Sequence, residues 1–166
     1  MKIVPELDLD GFSDELKTTA TLIREFTSQA PPAVRLTLTN ISSTQHEVFT
    51  GFTPPFSQYV LHQSSGAEEN MCIVVPSSYP RADDVVVPTA MEEGCWTAED
   101  IPSILETGMI KELDSGESIS EVYTVLNHSS NDSCYPVGKY TSLDQIAIDD
   151  QENESEISFA ITVVEG

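Results

Sequence analysis

The chain has 166 residues, of which 39% are hydrophobic, and its 28 Asp and Glu residues against 7 Lys and Arg residues give a formal net charge of -21. This length fits a single domain, and the apolar content excludes a chain that stays disordered for want of a core. Because an acidic surface repels polyanions, the composition also excludes nucleic acids and anionic membranes as expected partners.

The N-terminal residues 1–14 include an early lysine but lack the apolar stretch of a signal peptide. No later segment is long and apolar enough to predict a transmembrane helix. We therefore predict an N-terminal extension over residues 1–14, one domain over residues 15–166, and a cytoplasmic location. A chain processed after export would have the same sequence, so a cell-surface location is the alternative.

Short runs of alternating apolar and polar residues follow, separated by Gly, Pro, Asn, Asp or Ser, and this pattern is typical of β-strands. The clearest run is "VRLTLTN", in which Val34, Leu36 and Leu38 share one face. The other candidates up to residue 99 are "LKTTATLIREF", "HEVFTGF", "QYVLHQ", "MCIVVP", "DVVVP" and "CWTAE".

The segment "EDIPSILETG" (99–108) is predicted to contain a helical turn, since Pro102 comes early in it. The strand candidates after it are "MIKEL", "ESISEVYTVLNH", "KYTSLDQIAI" and "EISFAITVVE". The second of these is apolar on both faces, which indicates a central strand. In the third, the apolar phase slips between Leu143 and Ile146, which predicts a β-bulge. The acidic residues 149–156 are predicted to form a hairpin loop.

The acids are scattered singly and in pairs from Glu6 to Glu165. An acidic disordered tail or a nucleic-acid mimic needs clustered charge. A salt-adapted protein instead carries acids over its whole surface, because molar salt screens their repulsion. We therefore predict a protein of a halophile.

Five segments carry a resemblance to known proteins: "PPAVRLTLTNISS", "PPFSQY", "GCW", "ELDSGESISEVYTV" and "CYPVGKYT". The Asn-terminated strand, the Leu-x-x-Gly-Glu-Ser turn and the Pro-x-Gly-x-Tyr strand entry resemble immunoglobulin-like modules. Together the segments are similar to small haloarchaeal proteins, many of them exported lipoproteins, and more distantly to the intracellular proteinase inhibitor family of bacilli. The resemblance covers roughly residues 15–165. The runs make roughly eight to ten strands at short, fairly even spacing, which is typical of a β-sandwich or a β-barrel. The resemblance implies the sandwich: an all-β, immunoglobulin-like fold of two antiparallel sheets.

Three cysteines, Cys72, Cys95 and Cys134, leave several chemistries open. A structural zinc site needs four ligands with close pair spacing, which is missing here. A cysteine nucleophile needs a neighbouring histidine, and the loop between His128 and Cys134 gives no reason for contact. The resemblance pairs Cys95 with Cys134 and so implies a disulfide, provided that the compartment is oxidising. Cys72 is then expected to be a buried free thiol.

No catalytic constellation is recognisable in the sequence. His46 and His62 lie near the ends of predicted strands and His128 in a predicted loop, so nothing indicates that they converge on one site. The phosphate-binding glycine loop, the G-x-S-x-G motif and the H-E-x-x-H motif are all absent. We therefore predict a non-catalytic protein with no catalytic residues, no metal site and no cofactor.

Aromatic residues cluster around two prolines in "VFTGFTPPFSQY". A proline-stiffened aromatic loop can bind a peptide or a sugar, or its rings can plug the open end of the sandwich. The candidate binding residues are Phe49, Phe52, Pro54, Pro55, Phe56 and Tyr59. The partner is expected to be a protein or a small ligand of unknown identity.

Four asparagines, Asn40, Asn127, Asn131 and Asn153, begin N-x-[ST] sequons. Three of the four lie in predicted loops, where glycans could attach, which favours the cell surface. The alternative is that small polar residues simply crowd loops. Taken together, the patterns predict a non-catalytic, salt-adapted β-sandwich module of a halophilic archaeon, with a structural or interaction role. The distant resemblance gives the alternative of a proteinase inhibitor that acts through an exposed loop.

Overall fold

The structure, a computed structural model, describes residues 1–63, 69–78 and 87–166. These residues form ten β-strands and no helix. The strands are β1 (Lys2–Leu9), β2 (Leu16–Arg24), β3 (Ala33–Asn40), β4 (His46–Thr50), β5 (Val60–Gln63), β6 (Met71–Pro76), β7 (Met109–Leu113), β8 (Ser118–Asn127), β9 (Gly138–Ile148) and β10 (Glu154–Val164). The prediction of an all-β fold is confirmed.

Antiparallel pairing joins the strands in the order β1-β10-β9-β5-β6-β8-β3-β2, with β4 pairing to β9 and β7 pairing to β4. The sheet curls until its two end strands, β1 and β2, meet. Where they meet, the Thr18 hydroxyl on β2 donates a hydrogen bond of 2.7 Å to the Leu7 carbonyl on β1. The largest fully buried side chains are those of Trp96, Tyr59, Tyr123, Tyr140, Phe56 and Phe159. Since the ladder of paired strands is continuous, the division into two sandwich sheets stays a prediction.

Alternating strands form where the sequence predicted them. On β3, Val34, Leu36 and Leu38 are fully buried and Arg35 is exposed. Strand β8 lies between β6 and β3. Its neighbouring residues Val125 and Leu126 point to opposite faces and are both fully buried, so the prediction of a central strand is confirmed.

Strand β1 lies in the segment that the sequence assigned to an N-terminal extension. It pairs with β10 along its whole length, from Lys2 with Val164 to Leu9 with Ile157. Ile3 and Leu7 are buried on one face, so the period-2 pattern was present in the sequence. Pro5 weakened that signal, because proline cannot donate a ladder hydrogen bond and is confined to edge strands.

Three local predictions are wrong. The residues of "CWTAE" form only isolated bridges, at Cys95 and Thr97, instead of a strand. Residues 99–108 contain no helical turn. The register of β9 against β10 runs without a shift from Gly138 to Ala147, so β9 has no bulge along this ladder. Of the candidate "DVVVP" (84–88), the first three residues lie outside the described ranges.

The tight connection between β9 and β10 confirms the predicted hairpin in part. The turn occupies residues 149–153, and the last three residues of the acidic stretch belong to β10. The backbone nitrogen of Asn153 donates to the carbonyl of Asp150, 2.9 Å away, which closes the turn.

Candidate functional site

A disulfide joins Cys95 to Cys134, as the resemblance implied. Cys95 ends a tight turn in which it exchanges two backbone hydrogen bonds with Glu92, of 2.9 and 3.1 Å. Cys95 is buried, whereas Cys134 is exposed in the loop between β8 and β9. The bond therefore ties the irregular segment before β7 to the β8–β9 loop.

Buried polar contacts hold the neighbours of the disulfide in place. The indole nitrogen of Trp96 donates to the Thr27 carbonyl over 2.8 Å. The hydroxyl of Tyr135 donates to the Val125 carbonyl over 2.8 Å, and its ring meets that of Phe26 edge-on at 5.8 Å. These contacts belong to the packing of the fold, which indicates a structural role for the disulfide.

Cys72 is the free cysteine of the described residues, and it is fully buried on β6. Burial raises the pKa of its thiol to about 12. Because the thiolate is the reactive form, this environment keeps Cys72 inert near neutral pH.

The loop between β4 and β5 (residues 51–59), which we call the proline loop, directs the rings of Phe56 and Tyr59 inward. Phe56 is fully buried, meets Phe159 edge-on at 5.5 Å, and accepts a hydrogen bond of 2.5 Å at its carbonyl from the Tyr123 hydroxyl. Tyr59 is also buried, and its hydroxyl lies 2.7 Å from that of Thr53. These contacts favour the plug interpretation for both rings.

The remaining candidates, three in this loop and Phe49 on β4, differ in exposure. Pro55 is buried and follows a cis peptide bond, whereas Pro54, Phe49 and Phe52 are half-buried. The part of the predicted set that solvent reaches is therefore Phe49, Phe52 and Pro54.

Strand β9 places one carboxylate on its inner face. Leu143 points outward and is 52% exposed, while its neighbour Asp144 points inward and is half-buried. This inversion explains the phase slip that resembled a bulge. The carboxylate accepts hydrogen bonds of 2.8 Å from the backbone nitrogens of Ser57 and Gln145. Burial raises the pKa of Asp144, and these two hydrogen bonds, together with one from the side chain of Gln58, lower it in part. Sequence reasoning did not single out this residue.

The histidines lie on separate elements. His46 begins β4, where its Nδ1 lies 2.7 Å from a carboxylate oxygen of Asp149. His62 is exposed on β5, and His128 follows β8 and pairs with Ser130 at 2.7 Å. Within residues 1–63, 69–78 and 87–166, no group of three or more His, Cys, Asp or Glu side chains could hold a metal ion.

A cleft opens where β4 separates from β9. The two strands pair only at Val48 with Ile148 and at Phe49 with Ala147, and beyond these pairs they enclose a cavity of about 380 Å³. We call this cavity the β4–β9 cleft. One wall carries Phe49 and its cross-strand partner Ile110 on β7, which is 55% exposed. The polar rim consists of Gln145, Gln151 and Glu154.

The 99–108 segment, between the disulfide and β7, is a second exposed feature. It has no regular secondary structure. Pro102 is buried and anchors it, whereas Ile101 and Ile104 are 42% and 51% exposed. The segment thus presents apolar side chains on a backbone that leads directly into a strand.

The chain matches no family model, no curated protein and no solved structure. The part of the chain that the structure describes contains no helix with the length and hydropathy needed to cross a membrane.

Proposed function

We propose that this chain is a non-catalytic interaction module, a salt-adapted immunoglobulin-like β-sandwich of a halophilic archaeon. It receives an apolar side chain of a partner protein in the β4–β9 cleft. The observation that carries the proposal is the pair Phe49 and Ile110, which forms an apolar wall that solvent reaches beside a cavity.

A tyrosine contact supports the immunoglobulin-like part. The hydroxyl of Tyr140 at the start of β9 donates a hydrogen bond of 2.5 Å to the carbonyl of Pro136. In immunoglobulin-like domains, a tyrosine near the start of one strand donates a hydrogen bond back to the backbone a few residues upstream. The contact that the Pro-x-Gly-x-Tyr motif makes is of the same kind, which supports the immunoglobulin-like part of the proposal.

The placement of charge supports salt adaptation. Every Asp and Glu in the described ranges is exposed except Glu15, Glu121 and Asp144, which are half-buried. At about 1 M salt the Debye length falls to about 3 Å, so charge no longer steers association over distance. Recognition then depends on apolar contact, which is what the β4–β9 cleft supplies.

The test is a titration with N-acetyl-tryptophanamide in molar KCl, followed by the amide NMR shifts of the labelled protein. We expect the shifts to concentrate on Phe49, Ile110 and the residues that line the cleft. A single buried side chain contributes about 1.5–3 kcal/mol, so the probe should bind with a Kd on the order of millimolar or weaker.

Two matched variants distinguish binding of the probe in the cleft from binding to any exposed apolar side chain. Ile110→Asp places a charge on the cleft wall and should abolish the shifts. Leu143→Asp makes the same change on the outer face of β9, where the side chain is similarly exposed, and should leave them unchanged. Shifts spread over the whole surface, or equal behaviour of the two variants, would rule out the cleft as the binding site.

The 99–108 segment favours a second candidate, a proteinase inhibitor. An inhibitor of this type offers an exposed loop that a protease binds but cleaves slowly, and here the disulfide at Cys95 and the buried Pro102 restrain such a loop. Restraint limits the entropy lost on binding.

Titration of a subtilisin-type serine protease decides between the two functions. An inhibitor would block the protease at a 1:1 ratio and stay uncleaved between residues 99 and 108. Ile104→Asp would remove the block, whereas Ile23→Asp, at an exposed position of β2, would not. Full protease activity at equimolar ratio excludes this candidate.

A further inference from the structure

The four sequons have very different surroundings in the fold. Asn40 is fully buried, and its side-chain nitrogen donates to the carbonyls of Thr44 and Leu113 over 2.8 and 2.9 Å. Asn127 is buried, and its side-chain oxygen accepts the backbone N–H of Tyr135 at 3.0 Å. A glycan on either asparagine could not be accommodated by the native packing.

Asn131 is committed to the fold as well. Its side chain pairs with the backbone of Met71 on β6, accepting from the nitrogen and donating to the carbonyl over 2.8 Å each. It also donates to the side chain of Asn127 over 2.8 Å. Glycosylation replaces one of the two hydrogens of the Asn131 nitrogen, so at least one of the two bonds that this nitrogen donates would be lost inside the fold.

Asn153 has a different environment. It is exposed in the turn between β9 and β10, and its side-chain nitrogen makes a single hydrogen bond of 3.1 Å, to the Ile148 carbonyl. The hydroxyl residue of its sequon, Ser155, is the second residue of β10. Glycosylation leaves the Asn153 nitrogen one N–H, which is enough for its single bond, and water is available to this exposed group if the bond is lost.

We propose that Asn153 is an N-glycosylation site and that the other three sequons are unused. The donor is a lipid-linked oligosaccharide. The Asn153 side-chain nitrogen forms a bond to the anomeric carbon of the sugar, and the bond from that carbon to the lipid phosphate oxygen breaks. The lipid phosphate leaves with the electron pair of the broken bond, and the nitrogen releases one proton to the solvent. No electrons are transferred. The disulfide between Cys95 and Cys134 fits the same setting, since disulfides persist in the oxidising environments where such transfer occurs.

The test is peptide mapping by mass spectrometry of the protein isolated from the cells that produce it. We expect sugar mass on the peptide that contains Asn153, and bare peptides around Asn40, Asn127 and Asn131. A chain without added sugar, or sugar on any of the other three asparagines, overturns the proposal.

Two serine variants provide the matched comparison. Ser155→Ala destroys the Asn153 sequon and should remove the entire sugar mass. Ser133→Ala destroys the Asn131 sequon at an exposed position and should leave the sugar mass on the protein unchanged. Asn153→Gln tests the same point without altering Ser155. Sugar that persists in both Ser155→Ala and Asn153→Gln would also overturn the assignment.

Discussion

The carboxylate of Asp144 accepts a hydrogen bond of 2.8 Å from the backbone nitrogen of Ser57, although 87 residues separate the two in the chain. Strand β9 thereby holds the proline loop where the loop turns toward β5. The carboxylate that makes this contact faces the inside of the curled sheet, so the tie has a pH dependence that can be measured.

The first prediction concerns Asp144→Asn. Because burial raises the pKa of Asp144 above its ordinary value of 3.8, the folded state binds this proton more tightly than the unfolded state does. The resulting stabilisation is complete below pH 3.8 and is lost as the pH rises through the raised pKa. Asparagine cannot titrate and so does not lose this stabilisation. The free energy of unfolding of Asp144→Asn should therefore increase relative to that of the wild type as the pH rises. Urea unfolding at several pH values measures the difference.

Asp132→Asn is the control for this effect, since Asp132 is exposed. Its stability difference from the wild type should not follow the pH dependence of Asp144→Asn. A difference for Asp144→Asn that stays constant across the pH range would contradict the raised pKa.

The second prediction concerns the disulfide. The disulfide closes a loop of about 40 residues in the unfolded chain. The entropy that the unfolded chain loses in this way stabilises the fold by roughly 4 kcal/mol. The double variant Cys95→Ser, Cys134→Ser should lose about this much in urea unfolding at constant salt. Reductant should destabilise the wild type and leave the double variant unaffected. Identical midpoints for the wild type and the double variant would show that the bond adds no stability.

The third prediction concerns the thiol of Cys72. Burial raises its pKa to about 12, so the native protein should react with iodoacetamide near neutral pH far more slowly than the urea-unfolded protein does. Mass spectrometry of the alkylated chain measures both rates. Fast labelling of the native chain at Cys72 would mean that β6 opens readily to solvent.

The fourth prediction is a salt dependence of stability. Between about 0.1 M and about 1 M KCl the Debye length falls from about 10 Å to about 3 Å, so the repulsion among surface carboxylates is screened. The thermal midpoint should therefore rise with KCl at neutral pH. Near the isoelectric point of about 4.1 the rise should be much smaller, because the net charge is close to zero. An equal rise at both pH values would point to an effect of salt on apolar burial instead.

The fifth prediction compares two asparagines. The side-chain nitrogen of Asn40 donates two hydrogen bonds, and its side-chain oxygen accepts a third from the backbone N–H of Ser42 at 2.9 Å. Asn40→Ala leaves buried groups unpaired and should cost at least about 2 kcal/mol. Asn153→Ala, in the exposed turn, should cost less than about 0.5 kcal/mol. Urea unfolding of the two variants makes the comparison, and equal losses would contradict the structural role of Asn40.

Local pattern was sufficient for most of the strands. Alternation of apolar and polar residues identified β3 and β10 because one face of each packs on the core while neighbouring positions are more exposed. Apolar residues on both faces identified β8 as a central strand. The spacing of the cysteines and histidines argued against a zinc site and a cysteine nucleophile, but it did not choose the disulfide pairing. The resemblance supplied that pairing, and the structure confirmed it.

The sequence by itself determined the all-β class, the acidic surface and the set of candidate residues, since these depend on composition and on a period of two along the chain. Only the tertiary structure decided which sequon reaches solvent, which aromatic rings are buried, and that Asp144 faces inward while Leu143 faces out. It also placed Phe49 beside Ile110, 61 positions further along the chain. The physical reason is that burial and contact depend on strands that are distant in sequence, and a short pattern carries no information about which strands become neighbours.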